Sequence, residues 1–457
     1  MRAWLAVATI FAGCYHPSEN VGSPCAANGA CPGDQVCDTH QQPPTCVASL
    51  VDDASIPSSD TIMMDAPPQD CATSDDCRQS APVCDPSTKT CRGCTADAEC
   101  TDGVCLEYLG QCTPSTGAIY VSPAGANQGT CTPTAPCATL DFATQQLSAA
   151  RHVIRVGDGA YASSGAPVLH LSTLGLGRVV VSGERNTFSG AMLTASTNGT
   201  TNPAVVQTDG STDVVVEGVT IHGGGQSGVR VTGALLLYRV EIDANSARGI
   251  DANPNNGAAL HVWESRITSN ASDGIAMTGQ NGSLEVLRSI VSHNTGGGIS
   301  IQRGSATILG SMIVRNGSNA SNYGGLRFQN LNGQPQIIQF DTIADNTCGA
   351  TNPAGVQSEN NSSVAIDDSI LAGNNGDAVA QICTTCTATF SLFVGAAPVG
   401  SFSGSPHFVS ATGDDYHIAS SSAARGQADP SATIRLDIDG EARPQGNGFD
   451  IGADEIQ

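Results

Sequence analysis

The 457-residue sequence predicts an all-β chain, a parallel β-helix (solenoid) preceded by small disulfide-rich modules, on three observations. A turn position recurs at Gly224, Asn245, Asn270, Asn294, Asn316, Asn346 and Asn374, with irregular spacing but fixed local grammar. Thirteen of the 18 cysteines lie between Cys14 and Cys112, most of them in a repeated four-cysteine unit. The third observation is composition. With 40% hydrophobic but only 4% aromatic residues and 52 glycines, a large core must be built from Val, Ile, Leu and Ala in thin layers.

The columns around the turn justify the rungs. Three residues before it stand Ile221, Ile242, Ile267, Val291, Ile313, Ile343 and Leu371; eight before stand Val216, Leu237, Val262, Val286, Ile308, Ile338 and Ile366. After it a small residue precedes an aliphatic one, from Gly228-Val229 to Ala378-Val379. Each rung thus offers three short strands, and stacking rungs about 4.8 Å apart puts like on like. Asparagine amides bond along such a stack, and Asn tolerates the left-handed backbone of a sharp corner. The asparagines therefore carry structure and are assigned no chemistry. A propeller or sandwich would need hairpins at near-constant spacing and predicts no one-residue corner columns.

Residues 1–14 hold a positive start, the apolar run AWLAVATIFA and small Ala12-Gly13 directly before Cys14. That run is too short to span a bilayer. The segment resembles a bacterial lipoprotein signal, departing from it at Phe11, where Leu is usual. The resemblance implies that Cys14 is acylated and anchors the chain to a membrane. Tyr15 in place of Asp points to the outer membrane or cell surface, a secreted protein being the alternative. Residues 15–46 form the first cysteine module (Cys25, Cys31, Cys37, Cys46), residues 47–70 a solvated, disordered linker, and residues 71–112 the second (Cys71, Cys77, Cys84, Cys91) and third (Cys94, Cys100, Cys105, Cys112). Units of roughly 20 residues bury too little apolar surface alone, so two disulfides each are expected, with connectivity open. Zinc at the Cys91-x2-Cys94 pair is disfavoured, because the pair straddles a unit boundary in an oxidising compartment. Cys131 and Cys137 bracket a short bridged loop; Cys383-x2-Cys386 reads as a disulfide rather than zinc, which leaves Cys348 odd.

The predicted β-helix spans residues 118–457. Its start reads as a strand, the Cys131–Cys137 loop, an amphipathic helix near Thr139 to Ala150 and a second strand, and resembles the N-terminal cap of bacterial right-handed parallel β-helix proteins. Its end, above all LDIDGEARPQGNGFDIGADE, closely resembles the terminal segment of surface-exposed members of that pectate-lyase-like superfamily. The resemblance implies a right-handed coil closed at both ends. Since the columns and both caps lie inside 118–457, that span is expected to fold without the modules.

Nineteen Lys plus Arg against 42 Asp plus Glu give a net charge of −23, which excludes electrostatic binding of nucleic acid. The one lysine, Lys89, excludes a lysine base in the later three-quarters of the chain. Many families on this scaffold cleave acidic polysaccharides, but the polygalacturonase-like Asn-Thr-Asp and Arg-Ile-Lys motifs are absent, and Asp367-Asp368 and His222-Gly223 stand in the wrong order. The resemblance supplies a fold and no catalytic residues. One constellation stands out. His293, Arg315 and Asp345 directly precede the turn in successive rungs, beside insertions at Asn316–Gly325 and Asn346–Gly355 that carry Tyr323 and Cys348. With Tyr323, these three are the candidate ligand-binding residues for a sugar acid; a solvated charge ladder, like Arg239, Glu264 and Arg288, is the competing reading. Asp437, Asp439, Glu441, Asp450 and Asp454 offer oxygens for Ca²⁺ without EF-hand spacing, and read as turn and cap residues; no cofactor is expected. The leading reading is a lipid-anchored, non-catalytic surface protein that binds glycans or neighbouring cells in adhesion, with a surface polysaccharide or cell-envelope component as partner. A polysaccharide lyase or hydrolase with an unrecognised site is the alternative, and a structural envelope spacer the third.

Overall fold

A computed structural model of the chain describes residues 35–38, 45–48 and 70–457, apart from 79, 164, 173–174, 184–189, 196–203, 211, 255–256, 332, 350–352, 360–362 and 376–380. Cys14, Cys25, Cys31, most of the linker and the Ala378-Val379 pair lie outside the described residues. In the N-terminal unit, Gln35–Asp38 runs antiparallel to Thr45–Ala48 with Cys37 opposite Cys46.

From Ala118 onward, three parallel sheets wind into a solenoid. The first sheet has 11 strands, from Ala118–Val121 to Cys386–Thr389; the second also has 11, from Gly159–Ser163 to Phe402–Ser403; the third has eight, from Leu169–Leu171 to Val356–Ser358. One rung visits them in that order, as in Leu235–Tyr238, Glu241–Asp243 and Ile250–Ala252, and then returns to the first sheet at Ala259–Trp263. The described aliphatic columns point inward in register. Ile221, Ile242, Ile267, Val291, Ile313, Ile343 and Leu371 pair in sequence, each fully buried.

Between the second and third sheets the predicted asparagine ladder forms. Asn245 Nδ2 donates to Asn270 Oδ1 (2.8 Å), Asn270 to Asn294 (2.9 Å), Asn294 to Asn316 (3.0 Å), Asn316 to Asn346 (3.1 Å) and Asn346 to Asn374 (2.9 Å). Gln381 Oε1 accepts the last amide at 2.8 Å. The same Oδ1 atoms accept backbone N–H groups, as Asn294 N donates to Asn316 Oδ1 at 3.1 Å, so the buried corner is satisfied without water. A second ladder, outside the columns read from the sequence, lines the corner between the first and second sheets. Val240 N donates to Ser265 Oγ, Ser265 N to Ser289 Oγ, Ser289 N to Ser311 Oγ, Ser311 N to Asp341 Oδ1, Asp341 N to Ser369 Oγ and Ser369 N to Ser391 Oγ, at 2.7–3.1 Å. Its signal was present five residues before the turn asparagines, where Ser, Ser, Ser, Asp and Ser follow one another from Ser265 to Ser369.

The capping helix is only Leu140–Thr144, shorter than the expected span to Ala150. Thr139 Oγ1 accepts from Phe142 N and Leu140 and Ala143 are buried, but the chain then reverses through a turn closed by Ser148 and Arg151 to enter Val153–Val156. Cys71–Cys84 with Cys77–Cys91, and Cys94–Cys105 with Cys100–Cys112, give each described module a first-to-third and second-to-fourth pairing. Cys131–Cys137 and Cys383–Cys386 are also bonded, and Cys348 is a buried thiol outside any disulfide, its sulfur accepting from Asn375 Nδ2 at 3.3 Å.

The third module does not stand apart from the solenoid. Its Val104, Leu106 and Tyr108 pack on the outer side of the first sheet against Val180, Val215, Leu236, Tyr238 and Trp263. Glu217 accepts from the backbone N–H groups of Glu107 (3.3 Å) and Tyr108 (3.0 Å), and Arg155 pairs with Asp97 at 2.8 Å. The span 118–457 alone would leave that apolar face bare. Unbroken apolar runs, VVV in two strands and LLLY in the next, mark a sheet buried on both faces.

Two outcomes follow for stability. Asn316→Ala removes an acceptor from Asn294 and a donor to Asn346, leaving buried groups unpaired, so denaturant unfolding should report a loss of about 2–4 kcal/mol; a loss below the error of the measurement would contradict a ladder that carries the corner. Burial raises the Glu217 carboxyl from 4.5 to about 7, although the Tyr108 N–H favours its charged form. The stability linked to this proton is complete below the unfolded value and is lost as pH rises through about 7. Thermal melting should therefore occur at a lower temperature at pH 8 than at pH 5, and Glu217→Gln should narrow the difference; an unchanged difference would show that this carboxyl does not titrate with unfolding.

Candidate functional site

The structure brings His293, Arg315 and Asp345 together on the outer side of one corner, each in the left-handed region (φ 56°, 55° and 54°). The C-terminal hairpin engages Arg315 and Asp345, while His293 lines a small cleft beside it. Tyr416, on the C-terminal strand Asp415–Ile418, donates its hydroxyl to Asp345 Oδ2 at 2.7 Å and accepts from Arg315 Nε at 2.9 Å. Arg315 also reaches Ala411 O (2.5 Å) and Asp414 Oδ1 (3.1 Å), and His293 lies 3.4 Å from the same Asp414 oxygen. Burial, then the neighbouring Asp345, push the Tyr416 hydroxyl well up, which keeps it a neutral donor. The column is thus the seat of the terminal hairpin.

Tyr323 goes elsewhere. The insertion carrying it begins after the corner asparagine, so it projects over the third sheet, whereas the three residues before the corner project over the second. The two insertions pair with each other, Gly317–Ser318 parallel to Thr347–Cys348. The first of them walls a cleft of about 380 Å³ lined by Asp273, Thr295, Ser318, Asn322, Tyr323 and Arg327, among others. Tyr323 is its floor. The ring lies against Gly297, where a Cβ would come within 2.3 Å of Cζ and where φ is +146°, so only glycine fits. The Tyr323 hydroxyl donates to Asp273 Oδ1 at 2.8 Å, and the Arg327 guanidinium stands 5.7 Å from the ring centre.

Charges around this cleft are matched. Arg327 donates twice to Glu359 Oε1 (2.7 and 2.9 Å), Arg248 bonds Asp251 at 2.7 Å, and Arg248 lies 3.4 Å from Asp273 Oδ2. Burial raises the Glu359 carboxyl, but donation from Gln329 and Arg327 outweighs it and holds the group below its usual range. The exposed polar side chains of the lining are Thr295 and Asn322, with Ser318 beside them accepting from Ala320 N, set over a trough in which Ala276 and Ser300 separate Asp251 from Arg327.

The three sheets differ in cover. The third module roofs part of the first sheet, and the terminal segment packs Tyr416, Ile418, Phe449 and Ile451 on outward Met312, Val314 and Ile370 of the second. The third carries polar outward residues such as Arg230, Asp251, Ser300 and Arg327 in register. The acidic residues weighed for Ca²⁺ mostly close turns. Asp437 Oδ1 accepts from Asp439 N and Glu441 N, Asp450 Oδ1 from Gly426 N, and Asp454 Oδ2 from Ile418 N. The Arg239–Glu264–Arg288 column is a continuous ion ladder, extended by Glu107 at 3.1 Å from Arg239.

A family described as right handed beta helix region matches residues 178–331. Among solved structures, pectate lyase Pel9A is similar over 74% of this chain and 96% of its own, with TM-score 0.55 and 15% identity. A rhamnogalacturonan lyase structure overlaps 64% of this chain and 90% of its own at 11% identity, with TM-score 0.26. No curated protein sequence matches the chain. At 15% identity the likeness to the Pel9A structure is one of fold, and it agrees with the family match and the three stacked sheets: this is an all-β protein whose body is a right-handed parallel β-helix, preceded by a disulfide-rich region.

Proposed function

We propose that this is a lipid-anchored, non-catalytic cell-surface protein that binds glycans along the third sheet, at the cleft floored by Tyr323. The carrying observation is that each arginine described at this cleft is already paired with a carboxylate, while a hydroxyl and an amide are exposed. Such a lining exchanges hydrogen bonds with sugar hydroxyls and offers no unpaired cation for a uronate carboxylate. Asp273 is held by Tyr323 and Arg248, an arrangement that suits positioning better than proton transfer. Residues 1–14 support export, with Cys14 as the anchor to the outer membrane or cell surface.

Glycan-array and calorimetric binding should detect a neutral oligosaccharide, and Thr295→Ala with Asn322→Ala should weaken it at least tenfold without shifting the melting temperature. Equal binding by wild type and variant would remove the cleft as the site. Release of reducing ends or unsaturated products from bound polysaccharide would replace the reading with a carbohydrate-active enzyme. Separately, Cys14→Ser should move the protein from the membrane to the soluble fraction, and unchanged membrane association would refute the anchor.

A further inference from the structure

Three segments of the terminal region meet at one imidazole. His417 comes from the strand Asp415–Ile418, Asp439 from the tight turn closed by Asp437, and Asp454 from the final residues. One donor atom from each lies within 4.8 Å of the other two. The contacts within the group are unusual. His417 Nε2 is 3.0 Å from Asp439 Oδ2, an ion-pair distance, yet this buried atom has no partner in line for an N–H···O bond. A ring nitrogen beside two carboxylates, with no aligned hydrogen bond between them, is a donor set that one cation can complete.

The other ring nitrogen supports the same assignment. His417 Nδ1 stands 2.6 Å from Asp415 Oδ1. A carboxylate on Nδ1 fixes the proton there and turns Nε2 outward as a lone pair, the outer-shell arrangement common to metal-binding histidines. Asp454 is 8% exposed and keeps one oxygen on Ile418 N at 2.7 Å. The ion pairs of Asp415 and Asp439 both go to His417 itself, and Asp454 faces both that imidazole and Arg443.

We propose that His417 Nε2, Asp439 and Asp454 bind a single divalent transition-metal ion of the Zn²⁺ class. Imidazole nitrogen and carboxylate oxygen are both Zn²⁺ donors, with bonds of about 2.0–2.2 Å that require a contraction of the cluster and leave a fourth position to water. Ca²⁺ prefers six to eight oxygens and no imidazole, so the ring selects against it. The cluster opens on a cleft of about 550 Å³ that also holds Arg239, Glu264 and Arg288, which gives an ion an entry route. Bound there, it would tie hairpin, turn and chain end together at the closed end of the solenoid.

The test uses the full chain, oxidised and chelator-treated, titrated with ZnCl₂ and with CaCl₂ by calorimetry at pH 7.5 and followed by thermal melting. Expected are one Zn²⁺ bound per chain, a higher melting temperature with zinc, and no response to calcium. His417→Gln and Asp439→Asn should each weaken zinc binding at least tenfold. Asp439 is 56% exposed at its side chain, so Asp439→Asn should leave metal-free melting unchanged and separates loss of a ligand from loss of the fold. Visible absorption of the Co²⁺ form should report a tetrahedral site in wild type and not in Asp439→Asn. Absence of zinc binding, zinc binding equal in wild type and both variants, or preference for calcium would each overturn the assignment. A drop in metal-free melting for Asp439→Asn without zinc binding by wild type would show that the cluster is an ion pair only.

Discussion

The fold depends on satisfying backbone polar groups at corners that are sealed from water. A solenoid turns its chain sharply twice or more per rung, and each turn breaks the sheet ladder, leaving N–H groups that cannot reach solvent. Both buried corners described here solve this with a side chain borrowed from the next rung: asparagine at one, serine or Asp341 at the other. An unsatisfied buried donor costs about 1–3 kcal/mol, so the effect repeated over six rungs is comparable to the whole stability of an ordinary domain. Aliphatic columns supply the bulk of the burial. The polar ladders fix the register in which those columns meet.

The repeated parts were legible because they repeat. Each column samples one environment several times, so Ile242, Ile267 and Ile313 identify an inward position that no single occurrence would establish. The serine ladder was equally periodic but was overlooked, since serine alone reads as a polar surface residue and only its burial shows otherwise. Disulfide pairing and the short capping helix needed coordinates, because both depend on where a turn falls by one or two residues.

Long-range contacts were not legible. His293, Arg315 and Asp345 were correctly placed side by side, but about 100 residues separate Arg315 from Tyr416, and nothing local announces that the terminal hairpin folds back over them. The side on which Tyr323 falls follows from a finer point: an insertion before a corner projects over one sheet, and one after it over the next. Docking of the third module was foreshadowed only by strands apolar on both faces, from Val180 to Leu236.

The two coverings have a consequence for how such a chain can change length. Stacked rungs are in principle open-ended, and duplication or loss of one rung preserves every ladder on either side. Here the third module lies lengthwise over strands from Val153 to Trp263, and the terminal hairpin bridges the successive rungs of His293, Arg315 and Asp345. Each acts as a ruler laid along the axis. A duplicated rung beneath either one would carry its contacts about 4.8 Å out of place. The Trp263 and His293 rungs are neighbours, so the two rulers leave no gap between them, and the molecule has a set length although its architecture does not require one.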